Sequence, residues 1–284
     1  MRNDFVVFIL SHGRANSLVT VDSLNRCGYT GKWYIILDDE DSQIDLYKQK
    51  FGEENIIIFN KAEALKKFDI MDNFDDDKTI VFARNICHQT ARELGYKYFL
   101  ELEDDYTNFI HREPNGKKLE TWYIRDLDSV IDTYIEFLET SKCTTVCFAQ
   151  TGDFIGGVGT TGPVYREKLA RKAMNSFFCK SDNEFMFFGR FNDDVNTYLK
   201  LGSIGKLFFT TVDVNLGLIG TQITNGGLTE SYLKFGTYVK SFYSVMICPS
   251  CTRIYTVGSF HKRLHHIIDW DCAVPKIISS KFKI

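Results

Sequence analysis

No stretch of the chain is apolar for long enough to cross a bilayer. The strand-like run Phe5–Leu10 falls well short of a membrane span and has no small-residue cleavage site behind it, so it reads as a first β-strand and no membrane partner is expected. Charge of one sign is also lacking. With a formal net charge of −3, the chain has no global attraction for nucleic acid, and a polyanion would have to meet a local basic patch. The eight cysteines, at 27, 87, 143, 147, 179, 248, 251 and 272, lack the regular spacing of a disulfide framework, and no secretory leader precedes them. Reduced thiols in a cytoplasmic setting are the expectation. Cys248-Pro-Ser-Cys251 has the spacing of half a zinc site without a second such pair, and reads as two half-buried structural cysteines.

What is present is enough apolar material, 44% hydrophobic with 14% aromatic over 284 residues, for one large domain or two closely packed halves. Phe5–Leu10 is a continuous β-prone run, as in a strand buried on both faces, and Ser11-His12-Gly13-Arg14 turns it into a helix over about Asn16 to Arg26. A strand at Lys32–Leu37 ends in Asp38-Asp39-Glu40-Asp41. A helix over Gln43–Phe51 and a strand at Asn55–Phe59 complete a βαβαβ pattern, which favours an α/β fold with a mainly parallel sheet. Ligands of such sheets sit beyond the carboxyl ends of the strands, where Ser11, Arg14, Asp38 and Glu103 collect. Lys61–Lys78, with Asp75-Asp76-Asp77, reads as a solvated polar segment. Ala83–Leu94 follows as a helix with one packed face, opened by Arg84 and Asn85 and ended by Gly95, and Arg84 could reach a phosphate or, more commonly at such spacing, pair with the acids nearby.

The centre of the chain is Tyr96–Phe109, YKYFLELEDDYTNF. If its extended backbone persists, Glu103 and Asp105 project to one side and Asp104 to the other. Two converging carboxylates suit a hard divalent cation such as Mg²⁺ or Mn²⁺, which can hold a nucleotide's diphosphate; a solvated acidic loop is the alternative. Farther on, Asn192-Asp193-Asp194 reads as a helix start, with Asn192 as N-cap and both aspartates favoured by the helix dipole. The same dipole keeps Asp194 ionised, as a general base must be.

Two linked segments resemble GT-A-fold glycosyltransferases. ARNICHQTARELGYKYFLELEDD is similar to the pattern in which an Ala-Arg-Asn helix precedes a strand ending in an Asp-x-Asp metal motif, with Glu103 in the place of the first acid. GRFNDDVNTYLKLGSIGKLFF resembles the later segment whose acidic pair, here Asp193-Asp194, supplies the catalytic base of inverting members. A closer resemblance is to the TET-associated glycosyltransferases of phages. It is carried by Ser11–Arg14, Tyr29–Tyr34, Arg171–Phe178, Arg263–His266, Trp270 and Val274–Ile278. That family is thought to glycosylate hydroxymethylated pyrimidines in DNA.

The resemblance implies one GT-A domain over 1–284, with a nucleotide-sugar half at 1–110 and an acceptor half with a C-terminal lid at 111–284. It implies a uridine diphosphate sugar as donor and Mn²⁺ or Mg²⁺ held by Glu103, Asp105 and His266, with His265 next in line for the histidine's place. Ser11, Arg14, Asp38, Asp39, Arg84, Asp104, Lys262 and Arg263 would bind the donor, Arg84 helping to neutralise its diphosphate. Asp194, with Asp193, would act on the acceptor hydroxyl of modified DNA in the host cytoplasm. Basic and aromatic residues at Arg166–Phe178 suit a DNA backbone and a displaced base, the glycine-rich Gly152–Gly162 reads equally as a ligand-approach loop or a plain one, and the two histidines could equally be a surface pair. A polysaccharide or protein acceptor, or a silent nucleotide- or DNA-binding module, are the alternatives.

Overall fold

The computed structural model describes residues 1–74, 77–154, 172–218, 229–257, 262–273 and 280. Strand β1 is Phe5–Leu10, followed by α1 (Thr20–Arg26), β2 (Lys32–Asp38), α2 (Ile44–Phe51), β3 (Ile56–Phe59), α3 (Lys61–Lys67), α4 (Val81–Glu93) and β4 (Tyr98–Glu103). A hairpin of β5 (Tyr106–Asn115) and β6 (Lys118–Tyr123) leads to α5 (Leu127–Ser141), β7 (Thr145–Gln150), β8 (Phe177–Lys180), α6 (Asp193–Ser203) and β9 (Phe208–Leu218). Helix α7 (Thr229–Ile247), broken at Gly236, then packs on a ribbon of β10 (Thr252–Val257) and β11 (Arg263–Ile268), and α8 (Trp270–Ala273) follows.

One nine-stranded mixed sheet runs in the order β3-β2-β1-β4-β8-β7-β9-β5-β6. Its first four strands are parallel, as the βαβαβ pattern predicts, while β8, β5 and β6 bring antiparallel pairings into the second half. Helices cover both faces, which is why β1 is apolar at every position. Phe5, Val7 and Ile9 pack with α1, α2 and α5 on one side, and Val6, Phe8 and Leu10 with α3, α4 and α6 on the other. Each large side chain buried this way contributes on the order of 1.5–3 kcal/mol. This is the α/β arrangement expected of a GT-A enzyme. Among the described residues no helix is long and apolar enough to cross a membrane.

Local differences from the sequence reading have local causes. Helix α1 begins at Thr20 rather than near Asn16, because residues 14–19 form turns that tie the chain to the end of β4, Val19 N–H donating to Asp104 O at 3.0 Å. The segment read as uniformly polar loop contains α3, whose Asn60 side chain caps Glu63 N–H at 2.8 Å. Asn192 is no side-chain cap. It sits in the left-handed region at φ 53° and its amide donates instead to Lys240 O at 2.7 Å.

Beyond α3, Asp72 receives Arg190 Nε at 2.8 Å and Nη2 at 2.9 Å, and Tyr243 also donates to it. Arg190 is wholly buried, so the pair fastens residues 69–74 to the segment before α6, and Tyr243 ties them to α7. Asp72→Asn leaves that guanidinium without its counter-charge, and a loss of about 3–5 kcal/mol in urea or guanidinium unfolding is expected. A loss below about 1 kcal/mol, as at an exposed pair, would contradict this account.

Candidate active site

The carboxyl ends of the parallel strands gather the first group of candidates. Register places Leu10 beside Glu103 and beside Ile36, so the segments after β1, β2 and β4 open on the same edge of the sheet. Asp104 points away from Glu103 into this corner. Its carboxylate accepts from Ser11 Oγ at 2.6 Å and from Arg14 Nη1 at 3.0 Å, and it is only 3% exposed. Burial pushes the Asp104 carboxyl up, against the pull of Arg14. Tyr47 from α2, missed in the sequence reading, completes the corner: its hydroxyl lies 2.6 Å from Ser11 Oγ and accepts from Arg14 N–H at 2.9 Å.

The acids after β2 are already engaged. Asp38 Oδ2 lies 2.6 Å from His12 Nδ1; burial opposes its ionisation, but that hydrogen bond holds it below the usual carboxylate range and raises His12 in return. Gly13, at φ 66° where glycine is favoured, brings its N–H to Asp41 at 2.8 Å. Asp39 is exposed and spends both oxygens on Asn60 and Lys61 N–H at the start of α3, at 2.8 and 2.9 Å, so its role here is to anchor that helix.

The second group is built around Arg84. Of the two readings of this side chain, a phosphate contact and a pairing with nearby acids, the structure shows the second: Arg84 is 1% exposed and surrounded by acids. Nη2 donates to Glu103 Oε1 at 2.6 Å, Nε lies 2.8 Å from Asp193 Oδ2, and Nη1 lies 3.5 Å from Glu101 Oε2. Asp193 is buried as well, with its carboxylate against Arg84, and burial pushes it up to about 6. Asp194 is partly exposed, and its Oδ1 accepts Val195 N–H at 2.7 Å. The two acidic segments, at the end of β4 and the start of α6, therefore lie against one shared cation.

Glu103 and Asp105 retain ligand capacity. Glu103 engages only one oxygen with Arg84, and Asp105 Oδ1 is buried without a hydrogen-bond partner. Burial, and then Asp105 and Asp193 as neighbours, push Glu103 up to about 8 despite Arg84; burial and Asp104 push Asp105 up to about 6. A buried, unpartnered oxygen among mutually repelling carboxylates fits a divalent cation, which would relieve that repulsion. The expected third ligand is not with them. Among the described residues no group of three His, Cys, Asp or Glu side chains able to hold an ion is assembled. His266 is 4% exposed, with Nε2 at 2.9 Å from Lys172 Nζ and Nδ1 at 3.4 Å from the Asn192 amide. Burial and Lys172 depress its imidazole strongly. Remaining cation positions would fall to phosphate and water, as is usual for Mg²⁺.

Lys262 is exposed. The side chain of Arg263, the residues Arg166, Lys168, Arg171 and His261, and positions 155–162 and 274–279 lie outside the described residues. Glu101 was also missed, although it stands two positions before Glu103 in YFLELE and so shares its strand face toward α4.

The class this chain falls in is that of the glycosyltransferases, shown by a family model that matches most of its length. The match is more particular than that. The chain belongs to the TET-associated glycosyltransferase family, whose model matches residues 5–227. No curated protein matches it in sequence. Among solved structures it is similar to glucosyl-3-phosphoglycerate synthase from Mycobacterium tuberculosis in complex with Mg²⁺ and uridine diphosphate, at 10% identity and a TM-score of 0.46, over 93% of this chain and 87% of that one. The same enzyme with Mn²⁺ and UDP-glucose gives 10% identity and 0.44, over 93% and 86%. A mycobacterial protein gives 10% and 0.48, over 93% and 83%.

Proposed function

We propose that this glycosyltransferase moves a sugar from a uridine diphosphate donor to the hydroxyl of a hydroxymethylated pyrimidine base in DNA, with Mn²⁺ or Mg²⁺ bound. The observation that carries this reading is the shared contact of Glu103 and Asp193 with Arg84, at 2.6 and 2.8 Å. That contact supports reading the acids after β4 and the helix that bears Asp194 as parts of one site, as transfer between a diphosphate-bearing donor and an activated hydroxyl requires. The DNA acceptor is supported by membership of the TET-associated family.

In this reading the Ser11–Arg14–Asp104–Tyr47 corner and the His12–Asp38 pair shape the nucleotide end. Glu103 and Asp105 hold the metal ion, which supplies charge neutralisation for the departing diphosphate. With Arg84 spent on carboxylates, Lys172 is the described basic group left to face the diphosphate, since no carboxylate stands within ion-pair distance of it among the described residues. Asp194 accepts the proton of the hydroxymethyl oxygen as that oxygen bonds to the anomeric carbon. The bond from that carbon to the diphosphate breaks, and the diphosphate leaves with its electron pair. A base within a duplex is out of reach of such a cleft, so the acceptor is flipped out or single-stranded.

The test is incubation with a panel of nucleotide sugars and DNA containing hydroxymethylcytosine, hydroxymethyluracil or neither, followed by mass analysis of the digested nucleosides. A glycosylated hydroxymethyl nucleoside, lost with a chelator and restored by Mn²⁺, is expected. Transfer only to a polysaccharide or protein, or no turnover of any donor, would overturn the proposal.

A further inference from the structure

The environment of Arg84 supports an inference that rests on this reading and deepens it. The guanidinium lies between the rings of Phe177 and Phe187, 5.2 and 5.4 Å from their centroids, and both rings are buried. The start of α4 is stitched to the segment before α6 as well: Asn85 Nδ2 donates to Phe187 O at 3.1 Å, and Phe187 N–H donates to Asn85 Oδ1 at 2.7 Å. Glu101, wholly buried, has no hydrogen-bond partner for either oxygen and lies 3.5 Å from Arg84 Nη1, with the Cys87 thiol also beside it. One cation thus meets carboxylates from β4 and from α6, elements far apart in the chain, inside an apolar sleeve.

We infer that Arg84 is a positioning residue: with Glu101 behind it, its guanidinium sets the placement of Glu103 relative to the α6 start that carries Asp194, and it does not contact the donor. The planar fork matters, because Nε, Nη1 and Nη2 each address a different carboxylate. A lysine offers a single point of charge in the same space and cannot span them. Removing the charge altogether would strand three buried acids together, so the conservative variant is the informative one.

Arg84→Lys and Asp193→Asn test the inference through binding as well as turnover, with folding followed by circular dichroism and thermal melting. For Arg84→Lys the expected result is a fall in kcat of about 100-fold, the scale of a misplaced reactive group. Mn²⁺ affinity of the enzyme without donor, followed by electron paramagnetic resonance, should weaken about 10–100-fold because Glu103 has lost its partner. Affinity for uridine diphosphate at saturating Mn²⁺, by calorimetry, should stay within about threefold, as befits a residue that makes no ground-state contact with it. Asp193→Asn frees one side of the guanidinium and is close to isosteric, so it serves where the lysine variant does not fold. A positioning residue then predicts lower kcat with uridine diphosphate affinity unchanged, whereas a phosphate-binding residue predicts tighter binding of uridine diphosphate as Arg84 is released. That tightening, or a rise of tenfold or more in the dissociation constant of uridine diphosphate for Arg84→Lys with kcat intact, would overturn the inference while leaving the transferase reading in place. A wild-type enzyme inactive on every donor sinks that reading instead, and the binding measurements still decide the role of Arg84.

Discussion

Asp194→Asn is expected to lower kcat by about 10²–10⁴-fold, the range associated with loss of a general base, and to leave the protein folded. The split between the two neighbouring aspartates is the reason. Asp193 turns inward and is buried against Arg84, while Asp194 is partly open and its carboxylate engages only its neighbour's N–H among the contacts described. Asparagine keeps an oxygen for that N–H, so the start of α6 loses little, but it has no basic oxygen for the acceptor proton. Donor KM should hardly move, because Asp194 acts on the acceptor side. A variant with wild-type turnover would take Asp194 out of the mechanism. A variant that melts several degrees early would show instead that the carboxylate is a helix-start residue whose value lies in the macrodipole.

The parts of the molecule legible in the sequence are those fixed by short-range pattern. The apolar run Phe5–Leu10 reads as a strand covered on both faces, and the spacing of Leu127, Val130, Ile131, Tyr134, Ile135 and Leu138 gives α5 its inner side, on which Val130 alone is only partly buried. The acids at the end of β4 were legible for the same reason, since the strand runs out of apolar residues where the ligand edge of the sheet begins. Contacts made by tertiary packing were not. That Arg84 could pair with acids was legible, but which acids it meets depends on where Phe177, Phe187 and Asp193 arrive, and nothing in the helix around it encodes their approach. His266 likewise takes its partners from Lys172 and Asn192, on other elements. Asn192 is instructive in the other direction. Its type favours a cap, but the hydrogen bond to Lys240 O draws its amide away from the helix it precedes. Helix α3 was missed although a signal for it stood in the chain, since Asn60 followed by Glu63 is at the capping interval of a helix start.

Asp105→Asn carries the second large effect, and it separates a metal ligand from a merely repelled carboxylate. Asp105 Oδ1 is buried with no hydrogen-bond donor near it, and burial together with Asp104 already raises its cost of ionisation. If nothing ever binds there, replacing the carboxylate with an amide removes repulsion from Glu103 and Asp104, and the protein should become more stable without metal while activity persists. If a cation occupies the place, the variant forfeits one of only two carboxylate ligands. The loss in Mn²⁺ affinity should then exceed the about 10–100-fold that removing a mere partner of a ligand costs, and transfer should fall with it. The two outcomes can coexist in one measurement series. Melting without metal should rise or hold for Asp105→Asn, and the stabilisation that added Mn²⁺ confers on the wild type, which grows as RT ln(1 + [L]/Kd), should disappear. Persistence of that metal-dependent gain in the variant would mean that Asp105 is no ligand. The pairing of Glu103 with Asp105 as the cation site would then have to be abandoned, even with Asp194 confirmed as the base.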